Sequence, residues 1–392
     1  MSVRIGLWAS VLACTVACSA GSDRDGGALD GSVADAGGLH LDTGPGGLGG
    51  DASKNDATGI DPDAACLTTQ TPAKAIPANL LFQLDVSGSM NCPPSDGLSA
   101  NCAASGSSRW SVFRTELKKA LAALPDHNAA GLMHYPTGTG LFTGDPTGCV
   151  PQKPDVDLGL LSTTRAAIGA SLDARTPAGG TPTHDAVTVA LAQLKAAKAE
   201  GNRFLVLATD GNATFCAGCN ISCNSAALTA DSDVMVKEVE AAAAAGVRTF
   251  VIGVPGSQGF RATLSRLAEA GGTKAKPGCS SAGPTYCHWD MTTTTDFGSE
   301  LKAVLAAIGG AALSCEYPLP PKDGTFDPAK VNVRLSSGGK TTDLPRDAAR
   351  KDGWDYSDDG KSVVLYGSAC DQAKATTDGS VTLLFGCPTL IK

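Results

Sequence analysis

The sequence predicts an α/β fold in which helices cover both faces of a mainly parallel β-sheet, followed by a small C-terminal β-rich unit. Between residues 77 and 313, short apolar runs alternate with longer segments whose apolar residues recur at helical spacing. Such alternation is typical of parallel strands joined by helical crossovers. In residues 314–392 the helical spacing ceases, and short β-type runs are separated by Gly, Asp and Ser.

The elements of the predicted α/β domain, 77–313, follow one another in a regular order. Strands are predicted at 78–87, 129–136, 155–162, 203–211, 248–256 and 286–291. Helices are predicted at 109–124, 163–175, 184–201, 233–246, 260–272 and 296–313. In the C-terminal unit, strands are predicted at 331–335, 362–367 and 381–386. This unit is marginally long for a core of its own, so we expect a disulfide from Cys315, Cys370 or Cys387 to hold it on the α/β domain.

Residues 1–18 have the pattern of a secretion signal. Arg4 precedes an apolar core that is too short to span a bilayer, and small residues precede Cys18. The pattern resembles the bacterial lipoprotein signal, in which the cysteine becomes the lipidated first residue. Cys14 is the alternative lipidation site, and an ordinary cleaved signal is the alternative interpretation. We expect an exported protein, lipid-anchored to the bacterial cell envelope, at the outer membrane because Ser19 rather than Asp follows the cysteine.

Residues 19–76 are predicted to form a disordered tether. Within 19–65, twelve residues are Gly and nine are Asp, against one Arg and one Lys, so this segment carries most of the net charge of −8. A segment with so few large apolar residues cannot bury enough surface to offset the entropy cost of ordering it. No basic stripe is present elsewhere, which argues against nucleic acid as a partner.

Twelve of the fourteen cysteines lie beyond the predicted leader, and an even number in an exported chain indicates disulfides. Close spacing predicts two local pairs: Cys92 with Cys102, and Cys279 with Cys287. Cys216, Cys219 and Cys223 could instead bind zinc, but no second pair of suitably spaced ligands accompanies them. Disulfides are therefore favoured for these three as well.

Acidic and hydroxyl side chains follow two of the predicted buried strands. Asp85 ends the first, with Ser87 and Ser89 at alternate positions after it, and Asp210 ends the second; between them Thr181 precedes a helix in a Gly-Gly-Thr loop. Ligands of open α/β sheets bind beyond the carboxyl ends of the strands. Five oxygen-bearing side chains there suit a hard divalent cation, Mg²⁺ before Mn²⁺ or Ca²⁺, with some contacts through water and one position open to a carboxylate of a partner.

Asp-x-Ser-x-Ser, the Gly-Gly-Thr loop and Thr-Asp-Gly, in this order, resemble the von Willebrand factor type A (VWA) family and its metal-ion-dependent adhesion site. The resemblance covers about residues 77–310 and implies a Rossmann-like domain that binds a divalent cation and, through it, an acidic group of a partner protein. It implies a metal site made of Asp85, Ser87, Ser89, Thr181 and Asp210. Two cysteine-bearing insertions, 90–108 and 212–232, follow Ser89 and Asp210, so we expect them to form a rim that selects the partner.

Three other functions fit the sequence less well than binding to a partner. A serine hydrolase would use Ser87 with His184 and Asp185, but the chain lacks a Gly-x-Ser-x-Gly motif and the last two residues are adjacent. An intracellular chelatase or ATPase partner is disfavoured by the export signal and the missing phosphate-binding loop. A structural envelope protein with a vestigial metal site is the main alternative. We expect a binding protein rather than an enzyme.

Overall fold

The computed structural model describes residues 69–96, 102–103, 105–137, 148–211, 213–320, 327–337, 339–375 and 380–392. All of them belong to one compact unit. The predicted leader, the lipidation site at Cys18 and the tether up to residue 68 lie outside the described residues, so these assignments remain predictions. Within the described ranges, no helix combines the length and the apolar character that crossing a membrane requires.

Thirteen strands and seven α-helices are seen in the described part of the chain. The strands are β1 (Thr69–Ala73), β2 (Ala78–Asp85), β3 (Ala129–Tyr135), β4 (Val156–Leu160), β5 (Asn202–Thr209), β6 (Val247–Gly253), β7 (Trp289–Asp290), β8 (Glu316–Pro318), β9 (Val331–Ser337), β10 (Lys340–Leu344), β11 (Gly353–Tyr356), β12 (Ser362–Tyr366) and β13 (Ser380–Phe385). The helices are α1 (Arg109–Ala123), α2 (Leu161–Ala174), α3 (Thr183–Ala196), α4 (Ser225–Ala244), α5 (Arg261–Ala270), α6 (Phe297–Ala312) and α7 (Gly367–Ala375).

A six-stranded sheet in the order β4-β3-β2-β5-β6-β7 forms the centre of the α/β domain. Every neighbouring pair is parallel except β3 with β4, which is antiparallel. The predicted fold class, a mainly parallel sheet with helices and a further β-rich unit, is therefore confirmed. All eight residues of β2 are buried, as expected for a central strand whose two faces both carry apolar side chains.

Alternate residues of β2 enter two separate cores. Leu80, Phe82 and Leu84 pack against one set of helices, α1, α2 and α6, whereas Leu81 packs on the other side with α3, α4 and α5. Because side chains of a strand alternate between faces, one apolar run supplies both layers. The two layers hold β2 and β5 side by side, so that their carboxyl ends open at the same edge of the sheet.

The C-terminal unit contains a four-stranded sheet, β1-β13-β9-β10, and a three-stranded sheet, β11-β12-β8, which enclose a core around Trp354. The strands predicted in this unit are present as β9, β12 and β13. The prediction of a disulfide to the α/β domain is wrong for Cys315 and Cys370, because these two cysteines pair with each other inside the unit. A hydrogen bond from Lys374 Nζ to the carbonyl oxygen of Gly310 (2.8 Å) joins α7 to the end of α6.

Two sequence predictions about this unit are wrong. Residues 69–73 were predicted as tether, but they form β1, an edge strand that pairs antiparallel with β13. β1 is held by backbone hydrogen bonds to β13, which lies far away in the sequence. Amino-acid composition cannot indicate such long-range pairing. Helices were also predicted to cease after residue 313, yet α7 follows β12, where the Cys315–Cys370 disulfide fastens it to the core.

Candidate metal centre

The candidate site lies where β2 and β5 end. Leu84 is paired with Ala208, so the next residues, Asp85 and Thr209, finish the two strands side by side. The Asp85 carboxylate is fully buried; its Oδ1 accepts a hydrogen bond from the Ser87 backbone N–H (2.8 Å), and its Oδ2 accepts one from Thr209 Oγ1 (2.7 Å). These two bonds fix the orientation of the carboxylate and leave a lone pair on each oxygen.

A chain of hydrogen bonds through Ser87 and Ser89 connects Asp85 to Asp210. Ser89 Oγ donates to Asp210 Oδ1 (2.7 Å) and lies 3.0 Å from Ser87 Oγ. Because the Ser89 proton goes to Asp210, Ser87 is the donor in the contact between the two serines. Four of the five residues predicted for the metal site are thereby linked by hydrogen bonds, although they come from two segments more than 120 positions apart in the sequence.

The fifth predicted residue, Thr181, comes from the loop before α3. This loop is held beside the turn after β2 by a hydrogen bond from the Gly88 N–H to the Gly179 carbonyl oxygen (3.0 Å). A Cβ placed on Gly211 would lie 3.8 Å from Thr181 Oγ1 and 3.9 Å from Ser89 Oγ, so both hydroxyls border the same space. Thr181 Oγ1 has no hydrogen-bond partner among the residues that the structure describes, and it is therefore available to a ligand.

The charges of the site match a hard divalent cation. Burial, and next the neighbouring Asp210 carboxylate, raises the pKa of Asp85 from its ordinary value of 3.8 to about 7. Burial also raises the pKa of Asp210, although the nearby guanidinium of Arg109 opposes the rise. Two buried carboxylates beside three hydroxyls form an all-oxygen donor set of the kind that Mg²⁺, Mn²⁺ or Ca²⁺ prefers, and bound positive charge would offset their repulsion.

Sequence reasoning missed two residues of this site: Thr209, which donates to Asp85, and the charged residue Arg109. Arg109 is the first residue of α1, only 1% exposed, and its Nη1 donates to Asp210 Oδ2 at 2.6 Å. A signal was present in the sequence: the side chain begins a helix, where the helix dipole disfavours a cation. This signal is weak, because an exposed arginine tolerates such a position; burial of the side chain is what requires an acidic partner, and Asp210 is that partner.

Disulfides fasten the two predicted rim insertions. The two predicted local pairs, Cys92 with Cys102 and Cys279 with Cys287, are both present. Cys216 pairs with Cys223, and Cys219 pairs with Cys149, so the disulfide prediction is confirmed for these cysteines and the zinc alternative is wrong. The loop between Cys216 and Cys223 carries Ile221, whose side chain is 58% exposed.

The three residues of the hydrolase alternative do not form a hydrogen-bonded triad. His184 Nδ1 faces Asp231 Oδ1 at 2.8 Å. Asp185 accepts hydrogen bonds from the backbone N–H groups of Gly218 (2.8 Å) and Cys219 (2.9 Å), which holds the 216–223 loop on the first turn of α3. Both residues therefore support the rim, while Ser87 Oγ contacts Ser89.

No family model matches the chain, and no curated protein matches its sequence. Among solved structures, the chain is similar to the pilus adhesin SpaC from Lactobacillus rhamnosus GG, with 15% identity over 86% of this chain and 45% of that one, at a TM-score of 0.45. It is also similar to a von Willebrand factor type A protein from Catenulispora acidiphila, with 13% identity over 82% of this chain and 61% of that one, at a TM-score of 0.37. A third is the vWF domain of the type V pili tip protein Mfa5 from Porphyromonas gingivalis, with 13% identity over 61% of this chain and 96% of that domain, at a TM-score of 0.38. The chain thus spans less than half the length of the pilus adhesin.

Proposed function

We propose that this protein is a cell-envelope adhesion protein that binds a partner protein through a divalent cation. The proposed cation site consists of Asp85, Ser87, Ser89, Thr181 and Asp210. The observation that carries the proposal is the pair of buried carboxylates, Asp85 and Asp210, joined by hydroxyls and bordered by the unpartnered Thr181 hydroxyl. Arg109 compensates only one of the two charges, so the second buried carboxylate is costly to keep ionised without a further positive charge.

Each group has its own part in this function. Asp85 and Asp210 supply negative charge. Ser89 fixes the position of Asp210 through a hydrogen bond, and Ser87 in turn bonds to Ser89. Thr181 offers a free hydroxyl. A bound Mg²⁺ ion would supply a Lewis-acidic position for an acidic side chain of the partner. Ile221, exposed on the loop that the Cys216–Cys223 disulfide closes, would offer the partner an apolar contact.

The proposal includes the location of the protein. Lipidation at Cys18, after export, would anchor it to the outer membrane, and residues 19–68 would separate the binding domain from the lipid. Incorporation of labelled palmitate into the wild type, and its loss in Cys18→Ala, tests the anchor directly.

We expect recovery of a partner from an envelope extract to require both a divalent cation and Asp85. Immobilised protein is incubated with extract in Mg²⁺ or in EDTA, and the recovered proteins are compared with those of Asp85→Ala. The matched control is Asp173→Ala, since this exposed aspartate on α2 bonds to Lys118, away from the site. A partner lost with EDTA and with Asp85→Ala, but kept with Asp173→Ala, supports the proposal, whereas equal recoveries contradict it.

We also expect cation binding to weaken as the pH falls below about 7. The folded-state pKa of Asp85, about 7, lies above its ordinary value of 3.8, so the cation-free folded protein holds a proton on this carboxyl below pH 7. The free energy of unfolding therefore falls as the pH rises from about 4 to about 7. A cation must displace that proton, which lowers the apparent affinity by about tenfold for each pH unit below 7. Calorimetric titration with Mn²⁺ in two buffers of different ionisation enthalpy counts the released protons; an affinity that does not change with pH contradicts this expectation.

One observation favours the structural alternative, a site that binds no metal. The Arg109 guanidinium already neutralises one of the two carboxylates, so the site has a positive charge of its own. The decisive measurement is calorimetry with Mg²⁺ and Mn²⁺. The absence of binding heat and of thermal stabilisation with both ions would favour the structural role.

A further inference from the structure

Three hydrogen bonds and one closely packed glycine surround the guanidinium group of Arg109. Nη1 donates to Asp210 Oδ2 (2.6 Å) and to the Ser89 carbonyl oxygen (3.2 Å), and Nη2 donates to the carbonyl oxygen of Asp96 in the first rim insertion. On the remaining side lies Gly256, where a Cβ would approach within 2.8 Å of Cζ. The guanidinium is thus enclosed by the backbone and bonded to a proposed metal-site carboxylate.

Within the part of the chain described by the structure, Arg109 is the one charged side chain from outside the proposed metal site that bonds to a member of it. The contact is buried on both sides, with 1% and 0% of the two side chains exposed. Removing one member of such a buried pair leaves the other charge uncompensated, so the pair is a fixed element of the site.

The charge of Arg109 changes the electrostatic balance once a cation is present. With both aspartates ionised, the site with Arg109 carries one net negative charge. A divalent cation then makes it positive by one, and a buried unbalanced charge is unfavourable. One carboxylate from outside restores neutrality. In a site without the arginine, a divalent cation alone would balance the two aspartates, and an external anion would add an excess negative charge.

We propose that Arg109 is a positioning residue that makes the cation and an anionic partner group bind cooperatively at this site. Arg109 weakens the retention of a cation alone and strengthens the binding of an external carboxylate to the loaded site. By linkage, the carboxylate strengthens cation binding by the same factor. This inference rests on the proposed metal-dependent function and adds that Arg109, a residue outside the proposed ligand set, couples the binding of the cation to the binding of the partner's anionic group.

The test uses the full chain, Mn²⁺ as the cation and acetate as the carboxylate probe. Mn²⁺ affinity is measured by calorimetry in acetate and in chloride at equal ionic strength. For the wild type we expect acetate to tighten Mn²⁺ binding by about fivefold or more. Because this arm needs no substitution, it tests the inference even where a variant folds poorly; equal affinities in acetate and chloride overturn it.

The variants identify the residue responsible. Arg109→Met is expected to bind Mn²⁺ alone about tenfold more tightly than the wild type and to lose the acetate effect, and its melting temperature is expected to respond more strongly to Mn²⁺. Arg109→Lys retains the charge and is expected to retain the acetate effect. Arg114→Met, which removes a partly exposed arginine from the same helix, is the matched control and is expected to behave as the wild type.

The outcomes separate this inference from the proposed function. If wild type and Arg109→Met bind Mn²⁺ with equal affinity, whether acetate or chloride is present, the role of Arg109 is refuted while metal binding stands. If neither protein binds Mn²⁺, the metal-dependent function is refuted, and the inference fails with it.

Discussion

Replacing Asp85 by Asn is expected to lower the affinity for Mn²⁺ by at least about a hundredfold, a loss of roughly 3 kcal/mol or more. The change keeps the shape of the side chain and removes its charge. Asp210 would then be neutralised by Arg109 alone, so the site would offer a divalent cation no net negative charge. Calorimetric titration with Mn²⁺ measures the loss.

The same substitution is expected to stabilise the cation-free protein above pH 7. The folded-state pKa of Asp85, about 7, lies above its ordinary value of 3.8, so ionisation of this carboxyl opposes folding at higher pH. In EDTA at about pH 8, we expect the free energy of unfolding of Asp85→Asn to rise by about 1–2 kcal/mol. Lost function together with gained stability indicates a residue retained for ligand binding rather than for folding.

Asp173→Asn provides the matched control for both measurements. Its carboxylate is exposed and bonds to Lys118, so we expect Mn²⁺ affinity and stability to change little. An Asp85→Asn protein that binds Mn²⁺ as tightly as the wild type would show that this carboxylate takes no part in cation binding.

The fold class could be predicted because its signal is local. Leu80, Leu81 and Phe82 are three consecutive apolar residues, and an apolar run without alternation indicates a strand buried on both faces. The proximity of Asp85 and Asp210 could also be predicted, because parallel strands end at the same edge of a sheet and these residues follow two such strands. The structure brings Asp85, Ser87, Ser89 and Asp210 into one hydrogen-bonded chain, and the metal they are proposed to bind remains a prediction.

Other features depend on contacts between distant segments and could not be predicted in this way. The residues of β1 have no marked apolar pattern, and their strand conformation depends on pairing with β13. The apolar pattern of α7 is too weak to predict a helix, and the disulfide between Cys370 and Cys315 provides the attachment to the core. The placement of Arg109 depends on Gly256, which follows β6 in a different part of the chain and has no sequence signal that links it to α1.

Gly256→Ala is expected to destabilise the protein by about 3 kcal/mol or more and to tighten Mn²⁺ binding, because a displaced Arg109 no longer neutralises Asp210. Gly256 has a φ of +115°, a conformation that residues with a Cβ rarely adopt. The added methyl group would also lie 2.5 Å from the Asp210 carbonyl oxygen and 2.6 Å from Arg109 Nη1. Neither group can withdraw easily, because the carbonyl belongs to the backbone and the guanidinium is held by three hydrogen bonds.

Gly246→Ala separates the two causes of this destabilisation. Gly246 follows α4 with a φ of +82°, but a Cβ there would meet no atom within 4 Å. This control therefore carries the backbone strain alone, about 1–2 kcal/mol, and should leave Mn²⁺ affinity unchanged. Denaturant unfolding and Mn²⁺ calorimetry on both variants give the comparison. If Gly256→Ala lost no more stability than Gly246→Ala and bound Mn²⁺ normally, Gly256 would not be what confines Arg109 against Asp210. A greater loss of stability together with tighter Mn²⁺ binding would mean that the segment after β6, which contributes no predicted metal ligand, fixes the charge balance at the end of β5.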